Sequence, residues 1–334
     1  MTGINSARTI DIHAHAVLDE TMGAAGRFGP VLDEDAEGRA RFRVGDFELL
    51  GVPYRGSPFM DVDLRLKRMD ESGIDFQVLS PNPLTYFHFI DVPEAVSFCA
   101  RHNDILAQLV GRHEDRLAGF AALPMQDTGA AIEELERSVR DLGLWGGYIG
   151  TDFGRSLSSP DLDPFYEACV RLDVPLFIHP APAGIDGPPG DPNLKQFDLS
   201  ILCGFMSQET LAVATLIFGG VLERHPDLDV CVSHGGGAAA FIAGRLASAG
   251  KRRPWSRESL RQDGAFEEQL SRIWYDNHLN DDRALEYLIG IVGDDRLVLG
   301  TNFAGWDQHH VDPDAPISAK MADNARRLLR ADKI

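Results

Sequence analysis

Short β-branched or apolar runs recur along the 334-residue chain with amphipathic stretches between them, which is the pattern of βα units. Eight such runs stand out: Thr9–His13, Phe76–Ser80, Leu117–Leu123, Gly146–Gly150, Pro175–His179, Leu228–Ser233, Arg272–Asp276 and Arg296–Thr301. Eight is the number that closes a parallel barrel, so the pattern predicts an α/β chain folded as one (β/α)8 TIM barrel over residues 1–334. Between the runs, Leu64, Leu66 and Met69 stand amid charges in a helix expected over Val62–Ser72. Ile132, Leu135, Val139 and Leu142 recur at helical spacing in one expected over Ala130–Leu142. Gly73 and Gly143 stop them. Pro164–Leu172, Glu209–Glu223 and Ala238–Ala249 also read as helices.

Two stretches break this rhythm. Residues 19–60 have no sustained period and are rich in glycine and charge, and residues 181–199 contain the turn-forming run APAGIDGPPGDPN. Both follow expected strands, so both belong to the barrel face that carries active sites, and 19–60 reads as a lid-like insertion after the first strand.

Composition narrows the class. At 44% hydrophobic the chain can bury a full core, and it has no run of about 18 apolar residues that would suggest a membrane span. The start MTGINSART has neither a basic flank nor an apolar signal core, which leads to an expectation of a cytoplasmic protein. A net charge of −19 would repel phosphate backbones, so nucleic acid is not an expected partner. The basic run Lys251-Arg252-Arg253 reads as a helix end. Cys99, Cys169, Cys203 and Cys231 are far apart in apolar segments and read as buried free thiols.

The polar residues at the strand ends carry the chemistry. His13 and His15 end the first run, His179 the fifth and His234 the sixth, while Asn302 follows the eighth. In a parallel barrel those ends meet on one rim, and imidazole is the common ligand of borderline divalent cations. His13 and His15 are two apart on an extended segment, so one ion can take both rings. Asp11 shares their alternation, either as a partner beneath them or as a plain interior carboxylate. The glycines after His234 either let backbone N–H groups approach an anion or permit tight strand-to-helix packing. Asp276 and His278 point toward the same rim as candidate substrate or supporting contacts.

DIHAH, FIHP, GGVLERHPDLDVCVSHGGGAAAFIAGRL and LVLGTNF together resemble the decarboxylase branch of the amidohydrolase superfamily, the 2-amino-3-carboxymuconate-6-semialdehyde decarboxylase-like family. RMDESGIDFQVLS and RLAGFAALPMQD extend the likeness over nearly the whole chain. The resemblance implies a metal-dependent amidohydrolase-type barrel in which His13, His15 and His179 hold a divalent ion, usually Zn2+ with Mn2+ also compatible, and no organic cofactor. It implies that His234 acts as acid or base. It further implies that Arg245 reaches a neighbouring subunit's pocket in a homodimer to bind the carboxylate of a small acid, and that Arg43 is a second substrate-binding arginine. One position departs from the motif: Asn302 stands where the family has an aspartate that ligates the metal and exchanges protons. An amide can coordinate weakly but cannot accept that proton. Asp307 is expected to face solvent, with replacement of the lost carboxylate as the other reading. The implied activity is non-oxidative decarboxylation of an aromatic or unsaturated, muconate-like acid. The alternatives are hydrolysis of a carbon–carbon or amide bond in a ring-fission product, and a homologue that binds a small acid without turnover.

Overall fold

The computed structural model describes residues 3–182 and 190–333. Residues 183–189, within the stretch 181–199 expected to be a loop, lie outside them. The first apolar run forms β1 (Ile10–Ala16). A small antiparallel sheet follows, with β2 (Val31–Glu34), β3 (Ala40–Val44) and β4 (Phe47–Leu50). The other runs give β5 (Phe76–Pro81), β6 (Leu117–Gly119), β7 (Ala121–Ala122), β8 (Gly147–Ile149), β9 (Leu176–Ile178), β10 (Val230–Val232), β11 (Trp274–Asp276) and β12 (Leu297–Val298).

Parallel pairing proceeds in chain order, β1 to β5 to β6 and then β7 through β12. Only Phe120 separates β6 from β7. Its N–H donates to Leu79 O while the N–H of Ala121 donates to Gly146 O, so one run serves both neighbours. At the other end Asp11 bridges Leu299, and the N–H of Ile12 donates to Leu299 O at 3.0 Å. The pairing therefore returns to its first strand. Alternate residues then face different cores, as a period of two requires. Leu176 and Ile178 pack with the helix residues Leu216 and Ile217, whereas Phe177 packs with Phe76, Phe120, Tyr148, Cys231 and Trp274.

The helices outside this ring are α1 (Val62–Glu71), α2 (Val92–Gly111), α3 (Thr128–Arg140), α4 (Asp163–Leu172), α5 (Gly204–Phe218), α6 (Ala243–Arg252), α7 (Asp282–Val292) and α8 (Pro316–Leu328). Asp61 and Asp127 accept the N–H groups of Leu64 and Ala130, capping α1 where the pattern placed its start and α3 two residues before the expected one. The expected helix over Glu209–Glu223 instead begins at Gly204 and breaks at Gly219-Gly220, and the one over Ala238–Ala249 begins only at Ala243. Lys251 and Arg252 occupy the last turn of α6, as a helix-end role requires. Cys203 is exposed, unlike the other three cysteines, because it lies between a one-turn helix and α5 rather than in a strand or core helix face. Residues Leu199–Phe218 form one stretch long and apolar enough to cross a membrane by length and composition. Within it, however, Glu209 is fully buried against Ser233 and His234.

The β2–β4 sheet occupies the span that lacked a readable period. Its outer positions carry charge, with Arg41 paired to both Asp33 and Glu48, while Phe42 and Val44 pack on Phe87, Phe98 and Tyr54. Beneath it, Arg65 of α1 is almost fully buried and donates to Gln77 Oε1, to Pro58 O and, at 2.6 Å, to the carbonyl of His15. Burial pushes its guanidinium down to about 10. Replacing it removes the donors of three acceptors, each costing about 1–3 kcal/mol when left unpaired. Arg65→Met is expected to lower unfolding free energy by roughly 3 kcal/mol or more in a denaturant titration. A loss below about 1 kcal/mol would mean that the anchor contributes little.

Candidate active site

Five imidazoles meet at the strand ends. His13 and His15 come from β1, His179 directly follows β9, His234 follows β10 and His278 stands two residues beyond β11. All five are buried, at 5% exposure or less. His13 is central, with ring centroids 5.1 Å from His15, 5.0 Å from His179, 5.0 Å from His234 and 5.5 Å from His278. The pairing of β1 with β5 slips by one residue between Asp11 and Ala14, so a bulge falls at Ile12-His13, where such irregularities re-aim side chains.

Each ring has one nitrogen occupied by the protein. His15 Nδ1 donates to Pro81 O at 3.1 Å, His179 Nδ1 to Pro180 O at 2.7 Å, and His278 Nε2 to Asp307 O at 3.0 Å. His13 Nδ1 meets Asp276 Oδ2 at 2.6 Å, and His234 Nδ1 meets Glu209 Oε1 at 2.9 Å. A carbonyl can only accept, so these contacts fix which nitrogen keeps its lone pair. Burial, reinforced by the neighbouring rings, holds His13 and His179 well below the ordinary histidine range. Burial pushes His15 down to about 3 and also lowers His234, against the pull of Asp276 and Asp307. All four are thus neutral, the form that ligates metal.

Other carboxylates shape the surroundings. Asp11 is buried and accepts from His13 N–H, Gln77 Nε2 and both the N–H and Oγ1 of Thr301, so it braces the first and last strands and does not touch an imidazole. Burial raises it to about 6. Asp276 takes His13 on one oxygen and the N–H groups of Gly235 and His278 on the other. Glu209 accepts from Ser233 Oγ as well as meeting His234, and burial raises its carboxyl well above the usual range.

Asn302 lines a cavity of about 360 Å³ together with His15 and His179. Its backbone is left-handed, φ 47°, and its Nδ2 donates to Asp307 Oδ1 at 2.7 Å. Asp307 neither faces open solvent nor takes the place of Asn302. It is part-buried between Asn302 and His278, with Oδ2 3.7 Å from His278 Nε2. The remaining walls are mostly apolar, with Phe47, Leu49, Tyr54 and Phe59 from the small sheet and its exit, Phe205 and Trp306, and the amide of Asn82 among them. Arg43, expected at the substrate, is not there: among the described residues the lining contains no lysine or arginine, and the expectation for Arg245 concerns a neighbouring subunit's pocket rather than this one. Arg43 sits on β3, half-buried, and donates to Gly45 O. Arg245 is exposed on the first turn of α6.

The glycine run is settled by packing rather than anion binding. Gly235, Gly236 and Gly237 all have φ between 61° and 70°, and a Cβ on Gly237 would lie 2.2 Å from Met206 O. Their N–H groups are already used, by Asp276 Oδ1, Ser233 O and His234 O respectively. Only a distorted three-residue 3-10 turn, His234–Gly236, lies there, too short to add a helix dipole, and α6 does not begin until Ala243.

The donor set fits a divalent ion. His13, His15 and His179 present ligand atoms within 4.8 Å of one another, and His13 Nε2 is a buried nitrogen with no hydrogen-bond partner. Glu209 was missed in the sequence because it sits inside an apolar helix far from the histidine motifs. A glutamate amid MSQETLAVATLIF on a buried face was the available signal.

Comparison with known proteins agrees with this geometry. A family model described as amidohydrolase matches residues 10–331. The chain is 31% identical over 303 residues to 2-amino-3-carboxymuconate-6-semialdehyde decarboxylase of Dictyostelium discoideum, covering 88% of this chain and 81% of that protein. Among solved structures, the apo form of Metarhizium anisopliae IDCase superposes with a TM-score of 0.80 at 22% identity, covering 97% of each chain. Dihydroxybenzoic acid decarboxylase of Polaromonas sp. JS666, with bound manganese and the inhibitor 2-nitroresorcinol, gives 0.73 at 23% identity, covering 100% of this chain and 98% of that one. Those two likenesses establish the fold. Taken with the match along nearly the full sequence, they make this chain a member of the amidohydrolase family, in the same branch as the aminocarboxymuconate-semialdehyde decarboxylases.

Proposed function

We propose that this protein is a non-oxidative decarboxylase of an aromatic or unsaturated carboxylic acid, built as a single (β/α)8 barrel whose β2–β4 sheet forms a lid-like wall over the site. The observation that carries the reading is the convergence of three neutral imidazoles, His13, His15 and His179, the last two of which line a mostly apolar cavity. Three nitrogens with an open position suit catalytic Zn2+, and the manganese in the Polaromonas enzyme supports Mn2+ as the other candidate. A bound ion there would supply Lewis acidity and orient an oxygen of the acid.

The chain's own groups do the rest. Phe47, Leu49, Tyr54, Phe59 and Trp306 take the flat body of the substrate and exclude water. His234, its Nδ1 held by Glu209, first takes up a proton at its free Nε2, from the acid group of the substrate or from water, and then delivers it to the carbon that loses CO2, so that R–COO⁻ and H⁺ leave as R–H and CO2. His278 is a contact for a polar substituent. Asn302 orients the substrate without competing for the proton. In a homodimer, Arg245, exposed on its own subunit, approaches the partner's cavity and pairs with the carboxylate that no cation of the lining meets. The reading places the enzyme in the cytoplasm.

Four outcomes test this. Purified protein is expected to contain about one divalent ion per chain by elemental analysis. It is also expected to release CO2 from at least one member of a panel of hydroxybenzoates and muconate semialdehydes, with His15→Ala reducing release to background. Metal-loaded protein that releases none, yet cleaves an ester, amide or carbon–carbon bond, would shift the assignment to hydrolysis. Asn302→Asp removes the donation to Asp307 and sets two carboxylates side by side, while adding charge near the ligands. It is expected to tighten metal binding and to lower turnover about tenfold or more. A large gain in turnover would show that the asparagine is a defect rather than an adaptation. Sedimentation at micromolar concentration is expected to show a dimer. A monomer with full activity would remove Arg245 from the site.

A further inference from the structure

We infer that the histidine cluster offers a divalent cation a second position, bounded by His13, His234 and His278, which excludes occupation of the one bounded by His13, His15 and His179. The ligand atoms of this second set also lie within 4.8 Å of one another. Its rings are mutually close, at 5.0 Å for His13 and His234, 5.2 Å for His234 and His278, and 5.5 Å for His13 and His278. His278 is 4% exposed, and its Nε2 is spent on the carbonyl of Asp307, which leaves Nδ1 with the lone pair. That Nδ1 is buried and has no hydrogen-bond partner, and the same is true of His13 Nε2. Two buried, unpartnered nitrogens on one side of the cluster leave polar capacity that an ion satisfies.

Charge distinguishes the two positions. In the first set only His13 is backed by a carboxylate, since His15 and His179 lean on proline carbonyls. In the second set every ring is backed by an acidic residue: His13 by Asp276, His234 by Glu209, and His278 by Asp307, whose carboxylate lies 3.7 Å from the outer nitrogen. Such outer acidic groups accept from the ring N–H and raise ligand basicity, and here Asn302 supplies no acidic group to the first set. His13 has a single free lone pair, so the two positions are alternatives. An ion in the second also takes His234 out of proton transfer, so this form of the protein binds metal and is silent toward substrate.

Cobalt(II) alone is the probe, and its binding is read without any assay of activity, so the result stands apart from the proposed reaction. His15→Ala/His179→Ala removes two ligands of the first position. With circular dichroism unchanged, it is expected to retain one cobalt per chain, and adding His278→Ala is expected to weaken binding at least about tenfold. A folded double variant that binds no cobalt overturns the inference, as does one whose affinity is indifferent to His278. If the double variant does not fold, His15→Ala/His278→Cys serves instead. Its cobalt form is expected to show a thiolate-to-cobalt charge-transfer band in the near ultraviolet, and cobalt bound without that band overturns the inference equally.

Discussion

A neutral imidazole has one lone pair, so a buried histidine serves a site only if something else takes its N–H. The whole strand-end region is organised by that constraint. Pro81, Pro180 and Asp307 give backbone carbonyls, and Asp276 and Glu209 give carboxylate oxygens, each to the nitrogen that must face away. Those acceptors are themselves held. Asp276 receives two backbone N–H groups, Glu209 receives Ser233, and the strand bearing His15 is pinned by Arg65. The bulge in β1, the left-handed backbone at His234 and the three glycines after it are the local distortions through which the chain brings the rings together.

Much of this arrangement was legible in the residues. All eight runs became strands because an apolar segment of that length between helical patterns has few alternatives in a chain with so much surface to bury. The histidines were legible because parallel strands put their carboxyl ends on one side, and position in the chain then implies position in space. What stayed hidden depends on contacts distant in sequence. Glu209 reads as an ordinary member of an apolar helix until α5 is laid against β10. The small sheet has strands of four or five residues with charged outward positions, too short and too mixed to show an alternation. Arg43 shows the limit of carrying a role over by motif through such a region, since its neighbours Phe42 and Val44 fix the strand's face and turn it toward Gly45 instead.

Asn302 shows how one neutral substitution redistributes a site. Its amide is a donor where a carboxylate would be an acceptor, and that donor is what lets Asp307 remain beside it. Asp307 in turn fixes His278 through its carbonyl. The carboxylate at this rim is thus held between Asn302 and a fifth imidazole, His278.

Among the described residues the strands of the β2–β4 sheet pair with one another and with no strand of the ring, and the sheet packs on the rest of the chain through side chains such as Phe42 and Val44. The strands that carry the histidines and the small sheet whose Phe47 and Leu49 line the cavity thus belong to separable lengths of polypeptide. Drift in one need not disturb the other, so a lineage can sample new substrates by revising some twenty residues while inheriting its reaction intact.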